Sequence, residues 1–148
     1  MRIARSVVVL GVVIAATTSL GPTSAMVPPA CTWVGTPGPD EKHGTAGKDV
    51  LCGRGGDDAM YGGLGIDNGD GGVGNDRVDG GPGGDSTLYG GSAGADRVFG
   101  GDGNDGCVTT IDSTGNDAVF GGPGTDHYYT DPGDEVTNAE IPGPCFAE

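Results

Sequence analysis

Nine aspartates close nine successive Gly-rich stretches: Asp49, Asp58, Asp67, Asp76, Asp85, Asp96, Asp105, Asp117 and Asp126. The steps between them are 9, 9, 9, 9, 11, 9, 12 and 9 residues. A carboxylate returning at a fixed phase is a repeated supply of hard oxygen ligands, and hard cations are what such ligands suit. The other reactive residues do not gather into a site. His43 and His127 stand alone, which fits a surface role better than catalysis or zinc. Ser86, Ser92 and Ser113 fall in turn-like stretches with no His partner nearby, so a hydrolase triad is not expected. Fragments such as Gly53-x-Gly55 mimic a nucleotide loop, but no helix pattern follows them.

The elements that must position these carboxylates follow from the same period. In register the chain runs GTAGKDVLC (44–52), GRGGDDAMY (53–61), GGLGIDNGD (62–70), GGVGNDRVD (71–79) and GGPGGDSTL (80–88). An extra Tyr89 follows. Then come GGSAGADRVF (90–99), GGDGNDGCV (100–108), three extra residues, DSTGNDAVF (112–120) and GGPGTDHYY (121–129). The first six residues of a unit are Gly-rich, and Gly reaches φ > 0 without strain, so they form a tight turn. The last three carry an apolar residue between mostly polar ones (Leu51, Met60, Val78, Val98, Val119 and Tyr128), the alternation of a short half-buried strand. Turn plus strand, repeated in one direction, winds into a solenoid. Two units per coil give two facing parallel sheets with these apolar side chains between them. The pattern is broken at Gly69, at Thr87 (or Leu88 if the register slips), at Cys107 and at Asp112-Ser113, where both leading Gly are missing. The stretch TDPGDEVTNAEI (130–141) reads as a degenerate last repeat, its register open between Asp134 and Glu135.

The pattern G-G-x-G-x-D-x-U-x, with U large and apolar, resembles the repeats-in-toxin (RTX, haemolysin-type) calcium-binding nonapeptide over about residues 44–129. The resemblance implies an all-β fold, a right-handed parallel β-roll with calcium ions between stacked turns. It implies that the nine Asp carboxylates are calcium ligands, joined by carbonyls of turns such as Gly71–Asn75 and Gly100–Asn104. Asp49, Asp67, Asp85, Asp105 and Asp126 would line one side and Asp58, Asp76, Asp96 and Asp117 the other. Counting gaps along the two columns gives about seven ions, with the positions bordering units three, five and eight the weakest. An EF-hand loop does not fit: Asp67-x-Gly69 and Asp102-x-Asn104-x-Gly106 lose ligands or the Gly at its offset. Each site should be weak, about 10⁻⁴–10⁻³ M, as in other extracellular modules.

Charge and segment order complete the reading. Formal charge is −14, from 21 acids and 7 bases; without Arg2 and Arg5 it becomes −16. Such a surface excludes nucleic acid and anionic membranes as partners and favours cations. About seven divalent ions would nearly cancel it. With 33 Gly and eight aromatics in 148 residues, the chain is short of large apolar side chains, so folding is expected to be coupled to calcium. Residues 1–25 have two Arg, an 11-residue apolar run (6–16) and small residues up to Ala25, the order of a secretory signal peptide rather than a membrane span. The expected organisation is a signal peptide (1–25), an N-terminal cap (26–43), the roll (44–137) and a C-terminal cap (138–148), with Trp33 and Phe146 covering the ends. Cys31, Cys52, Cys107 and Cys145 in a small secreted chain imply disulfides. Cys52 and Cys107 would sit roughly 14 Å apart along the roll, beyond the ~7 Å limit for bridged Cα atoms. Cys31–Cys52 fits a tied-down N-terminal cap, closing a loop worth about 3 kcal/mol, and Cys107–Cys145 would tie the C-terminal one, while the sequence leaves the connectivity open. The expected function is a secreted calcium-binding protein without catalysis, whose protein partners the sequence does not reveal. The alternatives are a calcium-rigidified cell-surface or adhesion module, or an accessory piece of an extracellular enzyme or toxin system.

Overall fold

A computed structural model describes residues 30–114 and 116–144. The expected signal peptide, Cys145 and Phe146 lie outside the described residues. The described chain is a parallel β-solenoid built from strands of two or three residues. The strands are β1 (Trp33–Val34), β2 (Glu41–His43), β3 (Val50–Cys52), β4 (Ala59–Tyr61), β5 (Asn68–Asp70), β6 (Arg77–Asp79) and β7 (Thr87–Tyr89). They continue as β8 (Arg97–Phe99), β9 (Val108–Thr109), β10 (Ala118–Phe120), β11 (His127–Tyr129), β12 (Glu135–Thr137) and β13 (Ile141–Pro142). Odd strands form one seven-stranded sheet in chain order, even strands a six-stranded sheet facing it. Each coil therefore gives one strand to each sheet, as the two-units-per-coil reading requires. Among the described residues no helix is long and apolar enough to cross a membrane.

In β3 to β12 one residue per strand points inward and stacks on its counterpart a coil away. The odd sheet aligns Leu51, Gly69, Leu88, Val108 and Tyr128. The even sheet aligns Met60, Val78, Val98, Val119 and Val136. Leu51, Met60, Val78, Leu88, Val98, Val108 and Val119 form one buried cluster, with Trp33 and Tyr128 packed on it. The irregular units now resolve. Leu88, not Thr87, takes the inward place, and Val108 takes it in the seventh unit, displacing Cys107. In both units three steps separate Asp from the inward residue, against two elsewhere, so the inserted residue is absorbed beside the strand. Gly69 leaves no hole: a Cβ there would lie 2.5 Å from Cγ1 of Val78, which already fills the space.

Strand pairing runs past both ends of the expected roll. β1 and β2 pair with β3 and β4, and GTPGPDEKH (35–43) is itself a unit with Asp40 in sixth place. At the other end Val119 pairs with Val136, which fixes the last register on Asp134, and β13 pairs with β11. The Cys31–Cys52 disulfide is formed, its Cα atoms 6.0 Å apart, and it ties the first coil to the second. Cys107 is also disulfide-bonded; Cys145, its expected partner, lies outside the described residues.

Candidate metal sites

The strand register dictates where the aspartates go. Seven of the nine close a turn one residue before a strand starts, and Asp85 and Asp105 stand two and three residues before β7 and β9, so stacking the strands stacks the carboxylates in two columns. Oδ1 of each except Asp49 accepts the main-chain N–H of the aspartate one coil earlier; Oδ1 of Asp49 faces the Thr32 hydroxyl at 3.5 Å instead. Asp49 donates to Asp67, Asp67 to Asp85, Asp85 to Asp105 and Asp105 to Asp126, at 2.8–3.0 Å. On the other side Asp40 donates to Asp58, Asp58 to Asp76, Asp76 to Asp96 and Asp96 to Asp117, at 2.8–2.9 Å. These bonds lock each accepting carboxylate in one orientation and leave Oδ2 over. Oδ2 of Asp58, Asp67, Asp76, Asp85, Asp96, Asp105, Asp117 and Asp126 is buried with no hydrogen-bond partner. All eight residues are at most 3% exposed. A buried anionic oxygen facing no donor is costly, and proteins pair such groups or give them a metal.

The turns bring a second kind of oxygen to the same place. A Cβ placed on Gly62 would lie 2.5 Å from Oδ2 of Asp67 and 2.5 Å from the carbonyl oxygen of Gly80, one coil on. The first Gly of a unit therefore opens a small cradle between a carboxylate and a carbonyl. The same pair recurs at Gly53 (Asp58 and Gly71), Gly71 (Asp76 and Gly90), Gly80 (Asp85 and Gly100), Gly100 (Asp105 and Gly121) and Gly121 (Asp126 and Asn138). Converging oxygens without hydrogens are what a calcium ion fits and what a hydrogen-bond network does not. The second residue of these turns is left-handed throughout: Arg54, Gly63, Gly72, Gly81, Gly91, Gly101, Ser113 and Gly122. Arg54 (φ 81°) and Ser113 (φ 74°) hold that conformation despite their side chains.

Asp49 differs from the eight. Its Oδ2 accepts the N–H of Thr45 at 2.7 Å and the Thr45 hydroxyl at 2.8 Å. Asp40 is held alike by Thr36, at 2.6 and 2.9 Å. Neither threonine is among the left-handed residues, so its N–H turns toward the carboxylate. The signal was present in the sequence as Thr in place of the second Gly. Three further acids lie outside the nine expected ligands. Asp134 and Glu140 accept the main-chain N–H of Asp117 and Asp126, ending the two columns. Asp112, in the place of a first Gly, lies with Asp96 and Asp117 so that a carboxylate oxygen from each is within 4.8 Å of the others.

The electrostatics split along the same line. Burial pushes Asp76 and Asp85 up to about 6 and Asp96 up to about 7, with neighbouring carboxylates adding to the rise and the N–H on Oδ1 opposing it. Burial also raises Asp58, Asp67, Asp105, Asp117 and Asp126. Asp49 moves the other way, held down by the N–H and then the hydroxyl of Thr45.

A two-sheet parallel roll with columns of donorless carboxylate oxygens in its turns defines a class, the metal-binding β-roll. Four copies of the RTX calcium-binding nonapeptide repeat match residues 34–68, 70–87 and 111–134, and the chain belongs to that family. Repeats of this family bind calcium, and their roll is a structural fold. No curated protein and no solved structure gave a significant match to the chain.

Proposed function

We propose that this is a secreted, non-catalytic calcium-binding protein whose folding depends on the ion. The observation that carries the reading is the set of eight buried Oδ2 atoms without a donor. The proposed ligands are the carboxylates of Asp58, Asp67, Asp76, Asp85, Asp96, Asp105, Asp117 and Asp126, with carbonyls such as those of Gly71, Gly80 and Gly100. Asp49 serves instead as a hydrogen-bonded end, because Thr45 supplies its donors. Bound calcium supplies positive charge and takes six to eight oxygens, the two things these turns lack a partner for. The chain's own contribution is orientation: each amide on Oδ1 holds the carboxylate so that Oδ2 faces the cradle. Without the ion, stacked buried anions oppose the roll, and the small apolar cluster is a weak counterweight. The charged, apolar, small-residue order of residues 1–25 supports export before folding, into a medium where calcium is abundant.

Isothermal titration with calcium, run beside circular dichroism, tests this. The expected result is an unstructured spectrum in chelator that turns β-rich as several ions bind per chain. A β-rich spectrum in excess chelator, or no uptake of calcium, would overturn it.

A further inference from the structure

The eighth unit breaks the repeat most, and the sequence ranks its site among the weakest. Its geometry points the other way. Asp112 stands where the turns before the other eight repeat aspartates have their first Gly, the residue whose missing Cβ opens the cradle. Here a carboxylate enters that space. Oδ1 of Asp112 is fixed by the N–H of Thr114 at 2.7 Å, and its Oδ2 is buried without a partner. The main chain of Asp112 is fixed as well, its N–H donating to Asp131 at 2.9 Å. Asp96 and Asp117, 1% and 2% exposed, aim their own unpartnered Oδ2 atoms into the same region. The change of donor shows from Gly90 too. Its three nearest atoms all belong to Asp96, and the next coil's carbonyl, found at the other cradles, is not among them.

We propose that Asp96, Asp112 and Asp117 form a distinct three-carboxylate cation site, the tightest in the chain and the first to fill. The proposal rests on the calcium reading above. Affinity of an oxygen site for a hard cation rises with the number of charged ligands, and the other cradles combine one donorless carboxylate oxygen with a neutral carbonyl. All three carboxylates here have one oxygen tied by a main-chain N–H, so little ordering remains for the ion to impose. The first-filled site would lie in the irregular C-terminal half, where a bound ion would order the turn that interrupts the ladder.

Terbium, a hard trivalent ion that luminesces when a nearby tyrosine is excited, is the probe, with calcium titrated in parallel. Tyr89 is placed to sensitise it, since its hydroxyl donates to the carbonyl of Ile111, next to Asp112, at 3.1 Å. The full chain should show a first binding step separated from the rest by at least tenfold in concentration. Asp112→Gly, which restores the repeat, should remove that step and leave the later ones. Tyr89→Phe should remove its luminescence while calcium still binds in two phases. Asp112→Asn keeps the side chain's shape and replaces the glycine variant should that one not fold at saturating calcium. An unchanged first step in the Asp112 variants overturns the proposal while leaving calcium binding intact. Absence of any binding by the unaltered chain overturns both.

Discussion

Asp85→Asn should act with opposite sign in chelator and in calcium, and that reversal is the sharpest consequence of a donorless carboxylate. The variant keeps Oδ1 as acceptor for the N–H of Asp67, a 2.8 Å bond, so the ladder survives. What changes is the other atom. An acceptor beside the Gly100 carbonyl becomes an amide donor, and a charge that burial pushes up to about 6 disappears. Leaving a buried polar group unsatisfied costs about 1–3 kcal/mol, more when charged, so the metal-free roll should gain about that much. In calcium the site is lost instead. An ion at a hundredfold its Kd contributes about 2.7 kcal/mol, which the variant forgoes. Because the metal-free chain is expected to be unfolded, the assay uses trimethylamine oxide, which favours burial, to fold it in chelator. The variant should need less osmolyte there and more calcium in its absence. If both midpoints move in the same direction, Oδ2 is not an orphan awaiting a cation, and the reasoning fails.

Acid should order the metal-free chain. The folded-state values of Asp76, Asp85 and Asp96 lie above the ordinary 3.8. Their contribution is therefore fully present below about pH 4 and lost as pH rises through about 6–7. Circular dichroism in chelator should show more β-structure at pH 4.5 than at pH 7.5, whereas calcium-loaded protein should lose ions on the same descent. Reducing Cys31–Cys52 opens a loop with a sequence separation of 21, worth about 3 kcal/mol, and should raise the calcium needed for folding, read from Trp33 fluorescence. Met60→Ala empties a side chain only 1% exposed, so it should cost about 2–5 kcal/mol and raise the same midpoint.

Much of this molecule was legible because one period writes both its turns and its core. A coil of two units places every sixth residue in a turn column and every eighth between the sheets, so the two columns and the core from Leu51 to Tyr128 follow from counting. Counting fails where the chain inserts residues. Leu88 and Val108 take inward places that a strict count gives to Thr87 and Cys107, because burying an apolar side chain outweighs keeping the step. It fails again at Gly69, whose space is taken by a side chain from the opposite sheet. The difference between Asp49 and the other column aspartates needed backbone dihedrals. Whether a turn leaves Oδ2 bare depends on the sign of φ at its second residue, and Arg54 and Ser113 show that this is not a property of Gly alone.

That dependence supplies a last test. Thr36 and Thr45 point an N–H and a hydroxyl at the carboxylate, so the first two turns satisfy with hydrogen what the later turns leave bare. Both turns also have the oxygens of a cradle, since a Cβ on Gly44 would meet the carbonyl of Gly62 and lie 2.9 Å from Oδ2 of Asp49. A solenoid needs an end that holds without a further coil, and threonine provides one that needs no ion. Thr45→Gly removes the hydroxyl and frees the second position to adopt the left-handed form seen in the eight turns that follow. Asp49 would then present a bare Oδ2 like its neighbours. The variant should bind one more calcium per chain than the unaltered protein, counted by titration or native mass spectrometry, and should need more calcium to fold. An unchanged ion count would mean that the turn's dihedrals, rather than its donors, are fixed by the surrounding coil.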